Sequence, residues 1–231
     1  MIDPSEAAPV LEALTNNAIE LVAIWNTHHH FDHVGGNKEL VKHFPNLAVY
    51  GSASDKGRIP CQTHFLNDDE TVELGGMTAR VILNPGHTHG AISYYVGDQV
   101  LFTGDTLFGA GCGRLFEGSA KDMQESFDKL FSLPENTQVY CGHEYTEANL
   151  RFALNVEPQN EDIIKRQKSV AGSTHKVNTS VPFLLGEEKR TNPFARTDKP
   201  DVVRSVSEHF NATFESKHHV FGALRKWKDT F

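Results

Sequence analysis

The sequence predicts a mixed α+β protein in which a strand-rich part, residues 1–144, is followed by a helical part, residues 145–231. Two observations predict this division. Between Thr71 and Gly104 the chain consists of short β-branched or aromatic segments separated by Gly, Pro, Asn or Asp, which is typical of strands and turns. Beyond His143 the pattern is mainly that of amphipathic helices. A chain of 231 residues can bury one sizeable core and a smaller second unit.

The N-terminal third of the chain alternates predicted helix and strand. The segment EAAPVLEALTNN is rich in good helix formers and ends in an Asn pair, so it predicts a first helix. IELVAIWNT is an apolar run of strand length and predicts a buried strand. After Gly35 and Gly36, NKELVKHF predicts a short helix that begins at Asn37 and ends before Pro45, and LAVYG predicts the next strand.

The rest of the chain follows the same logic. TVELGG, MTARVILNPG, ISYYVGD and QVLFTGD predict consecutive strands, and TQVYCG predicts a later one. SAKDMQESFDKLFSL predicts an amphipathic helix capped by Ser119, because Met123, Phe127 and Leu130 fall on one face. HEYTEANLRFAL, EDIIKRQKSVAG, KPDVVRSVSEHF and an apolar last segment predict the helices of the second part, the first of which begins near Glu144.

Composition and charge exclude several classes of protein. No apolar run approaches the roughly 20 residues that span a bilayer, and the first residues lack the basic and apolar regions of a signal peptide. Three scattered cysteines argue against a disulfide framework and indicate a reducing compartment, so we expect a cytoplasmic location. A formal net charge of −8 disfavours binding to nucleic acid. We therefore expect no nucleic-acid or membrane partner; we also expect a monomer.

The segment NTHHHFDHVGG places four histidines and an aspartate within residues 28–33. In extended chain, residues two apart point to the same side, so His28 and His30 can converge on one metal ion. Asp32 and His33 lie past the bend toward Gly35 and can face a second ion. Nitrogen and oxygen donors suit zinc, iron or manganese, and the lack of cysteine disfavours a thiolate-rich structural zinc site. A His-rich surface tract is the alternative.

Further candidate ligands follow three later strands. His87 comes after a Pro-Gly turn in NPGHTHG, Asp105 ends the strand in VLFTGD, and His143 follows the strand in VYCGH. Each stands where a strand passes into a loop, where a rigid sheet can aim a side chain. We expect Asp105 to bridge both ions. Together these positions favour a two-metal site over a surface tract, since each alone would be an ordinary turn residue.

The other histidines and the cysteines show no such pattern. His29 should point away from the ligands if the chain is extended, and His89 is expected to have a turn role. Cys141 lies on a predicted strand and is expected to be a small core residue. No partner pattern accompanies the remaining histidines, which are His43, His64, His175, His209, His218 and His219.

The run Thr-His-x-His-x-Asp-His after a buried strand, with His, Asp and His at later strand ends, resembles the metallo-β-lactamase superfamily. That resemblance implies an αββα sandwich with metals at one edge. The segments GDTLFGAGCGRLFEG, YCGHEYTEANLRFA, TNPFAR and LRKWKDTF are similar to those of glyoxalase II, the hydroxyacylglutathione hydrolase family. This second resemblance covers nearly the whole chain and implies a C-terminal helical, glutathione-binding domain.

The resemblance implies a role for each matching residue. One ion would be held by His28, His30, His87 and Asp105, and the other by Asp32, His33, Asp105 and His143. Both are expected to be zinc, with iron or manganese also compatible. The positions matching glutathione-binding residues are Arg114, Phe116, Tyr145, Arg225 and Lys228, and glutathione carries two carboxylates that such cations can pair with. Without the resemblance, the terminal cations would indicate only a solvated helix end.

The implied activity is hydrolysis of S-D-lactoylglutathione to glutathione and D-lactate by a hydroxide held between two metal ions, with Asp32 and Asp105 as the carboxylates of the catalytic centre. The alternatives are a glutathione persulfide dioxygenase of the same superfamily and a non-catalytic metal- or glutathione-binding form. A β-lactamase would leave the C-terminal part unexplained, and the acidic charge disfavours a nuclease.

The sequence departs from the family pattern in two places. Phe116 stands where many members have a tyrosine that hydrogen-bonds glutathione, so packing is kept and a hydroxyl is lost. Family members also have a β-hairpin before the segment that matches Asp3-Pro4. We therefore expect a pair of strands of about 5–6 residues each to be missing from the first sheet.

Overall fold

The computed structural model describes residues 1–171 and 179–231. Its strands are β1 (Ala23–Trp25), β2 (Ala48–Ser52), β3 (His64–Leu66), β4 (Thr71–Leu74), β5 (Met77–Leu83), β6 (Ile92–Val96), β7 (Val100–Gly104), β8 (Leu107–Phe108), β9 (Gly111–Cys112), β10 (Gln138–Cys141) and β11 (Phe183–Leu184). Its α-helices are α1 (Ala7–Asn17), α2 (Phe31–Val34), α3 (Asn37–His43), α4 (Ala120–Phe131), α5 (Thr146–Val156), α6 (Glu161–Ala171), α7 (Leu185–Thr191), α8 (Pro200–Phe210) and α9 (Lys217–Thr230). Short 3-10 helices cover Ala53–Asp55 and Pro193–Ala195.

The strands form two main sheets. The first has the parallel order β1-β2-β3, in which Ile24 is opposite Val49. The second has the order β11-β10-β7-β6-β5-β4 and mixes parallel and antiparallel pairs. A small hairpin, β8–β9, projects beyond β7. Parallel strands align their carboxyl ends, so the loops after β1 and β2 leave the same edge of the first sheet.

Three hydrophobic clusters separate four layers. Ile24 on one face of the first sheet packs with residues of α1 and α3. Trp25, on the opposite face, stacks on Tyr94 of the second sheet with ring centroids 5.0 Å apart. The outer face of the second sheet packs against α4 and α9, where Phe127 meets Phe221. These layers confirm the predicted αββα sandwich.

Most predicted elements are present, with differences at their ends. Ser119 caps α4 as predicted, in a reciprocal capping box with Asp122. Strand β1 is shorter than the apolar run that predicted it, and the helix expected near Glu144 begins at Thr146. β3, α2, α7 and the β8–β9 hairpin were not predicted, because each is too short to show a hydrophobic period.

The part beyond residue 144 is mainly helical but is not separate from the sheets. Phe183 of β11 pairs with Val139 of β10, so this part contributes the edge strand of the second sheet. Helix α9 packs against α4 beside the same sheet. In the described ranges, no helix has both the length and the apolar character needed to cross a membrane.

Candidate metal centre and substrate cavity

Three imidazoles meet where β1 and β5 pass into loops. His28 Nε2 lies 3.1 Å from His30 Nδ1, and His87 Nε2 lies 3.0 Å from the same nitrogen. The extended backbone at His30 turns it to the same side as His28, as the spacing predicted. One atom from each ring falls within 4.8 Å of the others, which is close enough for a shared metal ion.

A second group forms beside the first. Asp32 and His33 lie on the short helix α2, and His143 comes from the loop after β10. His143 Nε2 is 3.2 Å from Asp32 Oδ2, and one ligand atom from each of the three residues lies within 4.8 Å of the others. The helical turn of α2 therefore places both Asp32 and His33 next to His143.

Asp105 lies between the two groups. Its Oδ1 is 3.2 Å from His33 Nε2, and its Oδ2 is 3.5 Å from His87 Nε2 and 3.4 Å from His143 Nε2. Gly142 makes this approach possible, because a Cβ there would collide with the Asp105 carboxylate and the His33 ring. The structure thus brings together all seven side chains predicted as metal ligands.

Outer hydrogen bonds orient several of these rings. The Nδ1 atoms of three histidines face oxygen atoms, which orients each ring with its Nε2 pointing inward, as in metal-binding histidines. The three pairs are His28 with Thr27 Oγ1 at 3.1 Å, His33 with Asp3 Oδ2 at 2.9 Å and His87 with the Arg114 carbonyl at 2.8 Å.

Two of the ligand atoms that point into the centre have no hydrogen-bond partner in the protein. His33 Nε2 and Asp105 Oδ1 are buried and make no hydrogen bond, although they are close to each other. Buried polar groups are normally hydrogen-bonded, so this pair requires an explanation. Imidazole and carboxylate donors of this kind fit divalent metal ions.

The pKa directions differ between the two groups of ligands: they are lowered for the three imidazoles of the first group and raised for His33 and His143 of the second. Burial lowers the pKa of His28, His30 and His87, which keeps their rings neutral. Burial alone would raise the pKa of Asp105, but His143 and His33 hold it well below its usual range. Burial would likewise lower the pKa of His33, yet the Asp105 and Asp3 carboxylates raise it to about 10. A metal ion at His33 would therefore displace a proton.

A cavity of about 490 Å³ opens directly onto this centre. Its wall includes five of the seven predicted ligands together with every side chain predicted to bind glutathione. The lining residues are His30, Asp32, His87, Asp105, Phe108, Cys112, Gly113, Arg114, Phe116, His143, Tyr145, Ala148, Asn149, Arg225 and Lys228.

Aromatic side chains form the rim of the cavity next to the imidazoles. Tyr145 stacks on His143, with centroids 5.0 Å apart and planes 16° from parallel. Phe116 stands edge-on to His30 and His87 at 5.6 and 5.2 Å. Both aromatic residues are exposed, so each has a face free to contact a ligand.

The predicted cations occupy different environments. Arg225 is only 5% exposed and donates to the Cys112 carbonyl at 2.9 Å and to Asp229 Oδ1 at 3.0 Å. Burial, assisted by the charge of Arg225, lowers the pKa of Lys228 to about 8. Arg114 is largely exposed, with its Nε 3.8 Å from Asp229. Asp229 is thus the carboxylate that a bound anion would compete with.

The β8–β9 hairpin between Asp105 and Arg114 is held from the helical part. Three side chains bond its backbone, namely Asn149 to the Gly109 carbonyl at 2.8 Å, Asn192 to the Gly111 carbonyl at 3.0 Å and Glu188 to the Ala110 N–H at 2.8 Å. No local feature of the sequence predicts these contacts, because each joins residues far apart in the chain.

Among the described residues, His29, His89 and Cys141 do not belong to either group of candidate ligands. His29 points away from them and bonds Asp55 at 3.0 Å, as the alternation of extended chain predicted. His89 is exposed and donates its backbone N–H to Glu117 in a turn. Cys141 packs against the core of the second sheet. His175 lies outside the described residues.

Family comparisons match the chain in two adjoining pieces. Residues 2–143 match the family described as metallo-beta-lactamase superfamily, and residues 144–231 match the one described as hydroxyacylglutathione hydrolase C-terminus. The first piece contains all seven residues of the metal centre. The second contains Tyr145, Arg225 and Lys228 of the cavity wall.

Curated relatives match over the full length of the chain. The hydroxyacylglutathione hydrolases of Synechococcus sp. (strain JA-2-3B'a(2-13)) and Gloeobacter violaceus are each 49% identical over 232 residues, covering 100% of this chain and 90% of the relative. That of Rippkaea orientalis is 47% identical over 237 residues with the same coverage.

Solved structures show the same fold. The BLEG-1 B3 metallo-beta-lactamase is 25% identical with a TM-score of 0.61, covering 84% of this chain and 86% of its own. A structure of TTHA1623 in a di-iron-bound form is 29% identical with a TM-score of 0.57, covering 84% and 87%. With the clustered His and Asp side chains, the fold indicates that this chain binds divalent metal ions. The chain is an enzyme and belongs to the hydroxyacylglutathione hydrolase (glyoxalase II) family of the metallo-β-lactamase superfamily.

Proposed function

We propose that the protein hydrolyses S-D-lactoylglutathione and related S-2-hydroxyacylglutathiones to glutathione and the free hydroxy acid. The observation that carries this proposal is the shared cavity, which joins the His/Asp centre to the cations Arg114, Arg225 and Lys228. The thioester would lie at the first and the glutathione carboxylates at the second. The relatives named above carry the name of this activity.

The metal centre is proposed to hold two ions. His28, His30 and His87 would bind one, Asp32, His33 and His143 the other, and Asp105 would bridge them. Zinc suits these donors, as do iron and manganese, because all three bind imidazole and carboxylate. Bound there, the ions would lower the pKa of a water molecule toward about 7 and polarise a carbonyl oxygen.

The residues of the chain position the reactants around that chemistry. Asp105 is ionised and buried, so it can neutralise two cations without giving up its charge during turnover. Asp32 is the more exposed carboxylate, with 56% of its side chain accessible, and it faces the cavity where a proton from the attacking water can be held. The leaving thiolate has a pKa near about 8.5, so a strong general acid is not required.

The far end of the cavity is proposed to bind the glutathione moiety. The guanidinium of Arg225 is fixed by the Cys112 carbonyl, which leaves little freedom to lose when a carboxylate binds. Lys228 lies one helical turn away on α9. Phe116 and Tyr145 offer apolar surface between the cations and the thioester.

Replacing the bridging carboxylate tests the proposal. Asp105→Asn and, separately, His143→Ala should lower kcat/KM for S-D-lactoylglutathione by at least about 100-fold, since several kcal/mol of charge stabilisation are at stake. Metal content, measured by elemental analysis, should fall in parallel. Asp98→Asn makes the same chemical change in an exposed turn and should leave both unchanged. Undiminished turnover in either variant would overturn the mechanism, and oxygen uptake with glutathione persulfide would point to a dioxygenase instead.

A further inference from the structure

Asp55 is a buried carboxylate that contacts a loop carrying predicted metal ligands without belonging to it. It ends the 3-10 helix Ala53–Asp55 after β2 and is fully buried. Its Oδ1 accepts a hydrogen bond from His29 Nδ1 at 3.0 Å. His29 stands between His28 and His30 in the chain, so this bond fixes the backbone that aims both imidazoles.

The same carboxylate touches a second ligand-bearing loop. A Cβ placed on Gly90 would lie 2.5 Å from the Asp55 Cγ, so the backbone of this loop packs directly on the carboxyl group. Only a residue without a side chain permits that approach. Gly90 follows closely after His87, and Asp55 therefore contacts both loops that supply the His28–His30–His87 set.

Hydrogen bonds close a ring through these two loops. Arg58 can only donate, so His29 Nε2 accepts its hydrogen bond and Nδ1 is left to donate to Asp55. Arg58 also pairs with Glu117. Glu117 in turn accepts the backbone N–H of His89 at 2.7 Å, which returns the chain of contacts to the loop of His87.

The ring does not extend to the other ligand set. Within the described ranges, no hydrogen bond or ion pair joins Asp55 to Asp32, His33 or His143. The outer partner of His33 is a different carboxylate, that of Asp3. Asp3 also accepts a hydrogen bond from Thr27 Oγ1, which contacts His28 Nδ1, so Asp3 reaches both ligand sets whereas Asp55 reaches only the first.

We propose that Asp55 is a positioning residue that sets the metal affinity of the His28–His30–His87 set and leaves that of the Asp32–His33–His143 set unchanged. Its Oδ2 is buried without a hydrogen-bond partner, which lowers the stability of the folded protein. Orienting groups behind metal ligands commonly change affinity by about 10–100-fold when they are removed. The inference rests on the proposed two-ion centre.

The test measures affinity for Co²⁺ and Zn²⁺ by chelator competition in the full chain, with one ligand set disabled at a time. In a His143→Ala background, Asp55→Asn should weaken binding by about 10–100-fold. In a His87→Ala background, the same substitution should change it less than about twofold. Equal losses in both backgrounds, or no loss in the first, would overturn the inference. Asp98→Asn serves as the matched control and should have no effect in either.

Variants of His29 provide an independent route in case Asp55→Asn does not fold. An Asn amide can stand at the position of the His Nδ1 and keep donating to Asp55, so His29→Asn should retain affinity in the His143→Ala background. His29→Leu cannot donate and should lose it by about 10–100-fold. If both variants bind the metal ion with equal affinity, the hydrogen bond to Asp55 does not set the metal affinity and the inference is wrong. A wild-type stoichiometry below two ions, with these differences intact, would count against the two-ion centre and not against Asp55.

Discussion

Replacing Glu188 by Gln should destabilise the protein by about 3 kcal/mol, because it leaves buried hydrogen-bond donors without an acceptor. Glu188 is fully buried; its Oε2 accepts from the Ala110 N–H at 2.8 Å and from Asn192 Nδ2 at 2.9 Å, and its Oε1 lies 2.6 Å from Arg166 Nη1. Burial raises the pKa of Glu188 although Arg166 opposes the shift. The attraction to Arg166 therefore does not outweigh the cost of burying the carboxylate. The substitution destabilises the protein because the Ala110 N–H, Asn192 and Arg166 cannot all keep a partner.

The magnitude follows from counting those partners. The single carbonyl oxygen of Gln can face Ala110 and Asn192 or face Arg166, but not all three. Losing a charge-assisted hydrogen bond costs about 1.5–3 kcal/mol, and an unpaired buried donor costs about 1–3 kcal/mol. Arg166 keeps Glu187 at 3.2 Å and Thr191 Oγ1 at 2.6 Å, so the expected loss is about 3 kcal/mol, less than the sum of the two costs. For a chain of this length that corresponds to a fall in Tm of about 6–12 °C.

Thermal and urea unfolding followed by circular dichroism, at equal metal loading, would measure the loss. Glu187→Gln is the matched control, because Glu187 adjoins Glu188, pairs with the same Arg166 and has 37% of its side chain exposed. It should cost less than about 1 kcal/mol. A Glu188→Gln protein within about 1 kcal/mol of wild type, or equal losses in the two variants, would refute the reasoning.

Other side chains of the cavity and its surroundings give further expectations. Lys228, with a pKa of about 8, loses its charge as pH rises above that value, so KM for S-D-lactoylglutathione should rise there. Lys228→Arg, which stays charged, should show a flatter KM profile under the same conditions. If Arg225 binds a glutathione carboxylate as proposed, Arg225→Ala should raise KM by about 10–100-fold and change kcat less; a change in kcat alone would contradict a binding role. Ser119→Ala removes the cap of α4 and should cost about 1 kcal/mol in urea unfolding, whereas Ser119→Thr should retain most of it.

The metal centre could be predicted from the sequence because its information is local. The alternation of His28 and His30 follows from extended chain, Asp105 directly follows β7, and His143 stands two residues after β10. The sheet then brings strand ends together by a general rule of topology, so the residues could be grouped without coordinates. The αββα layers required the family resemblance as well, since the sequence periods alone indicated only strands followed by helices.

The supporting contacts could not be predicted because they are long-range. Asp55 meets His29 across 26 residues of sequence, and Glu188 meets Ala110 across 78, with no spacing rule that links either pair. The burial of Arg225 also depends on long-range contacts. The resemblance predicted Arg225 as a glutathione-binding cation, and the structure adds that it is 5% exposed and bonded to the Cys112 carbonyl, so it supports the wall that it lines.

The stretch from Asp105 to Arg114 connects the metal centre to the cation end of the cavity, and the β8–β9 hairpin within it is clamped by Asn149, Glu188 and Asn192. In the proposed function, the length of this stretch sets the distance between the thioester carbonyl and the glutathione carboxylates. Engineering a broader acyl range should therefore keep the hairpin length and change exposed rim positions such as Phe116, because an insertion in the hairpin would shift both ends at once.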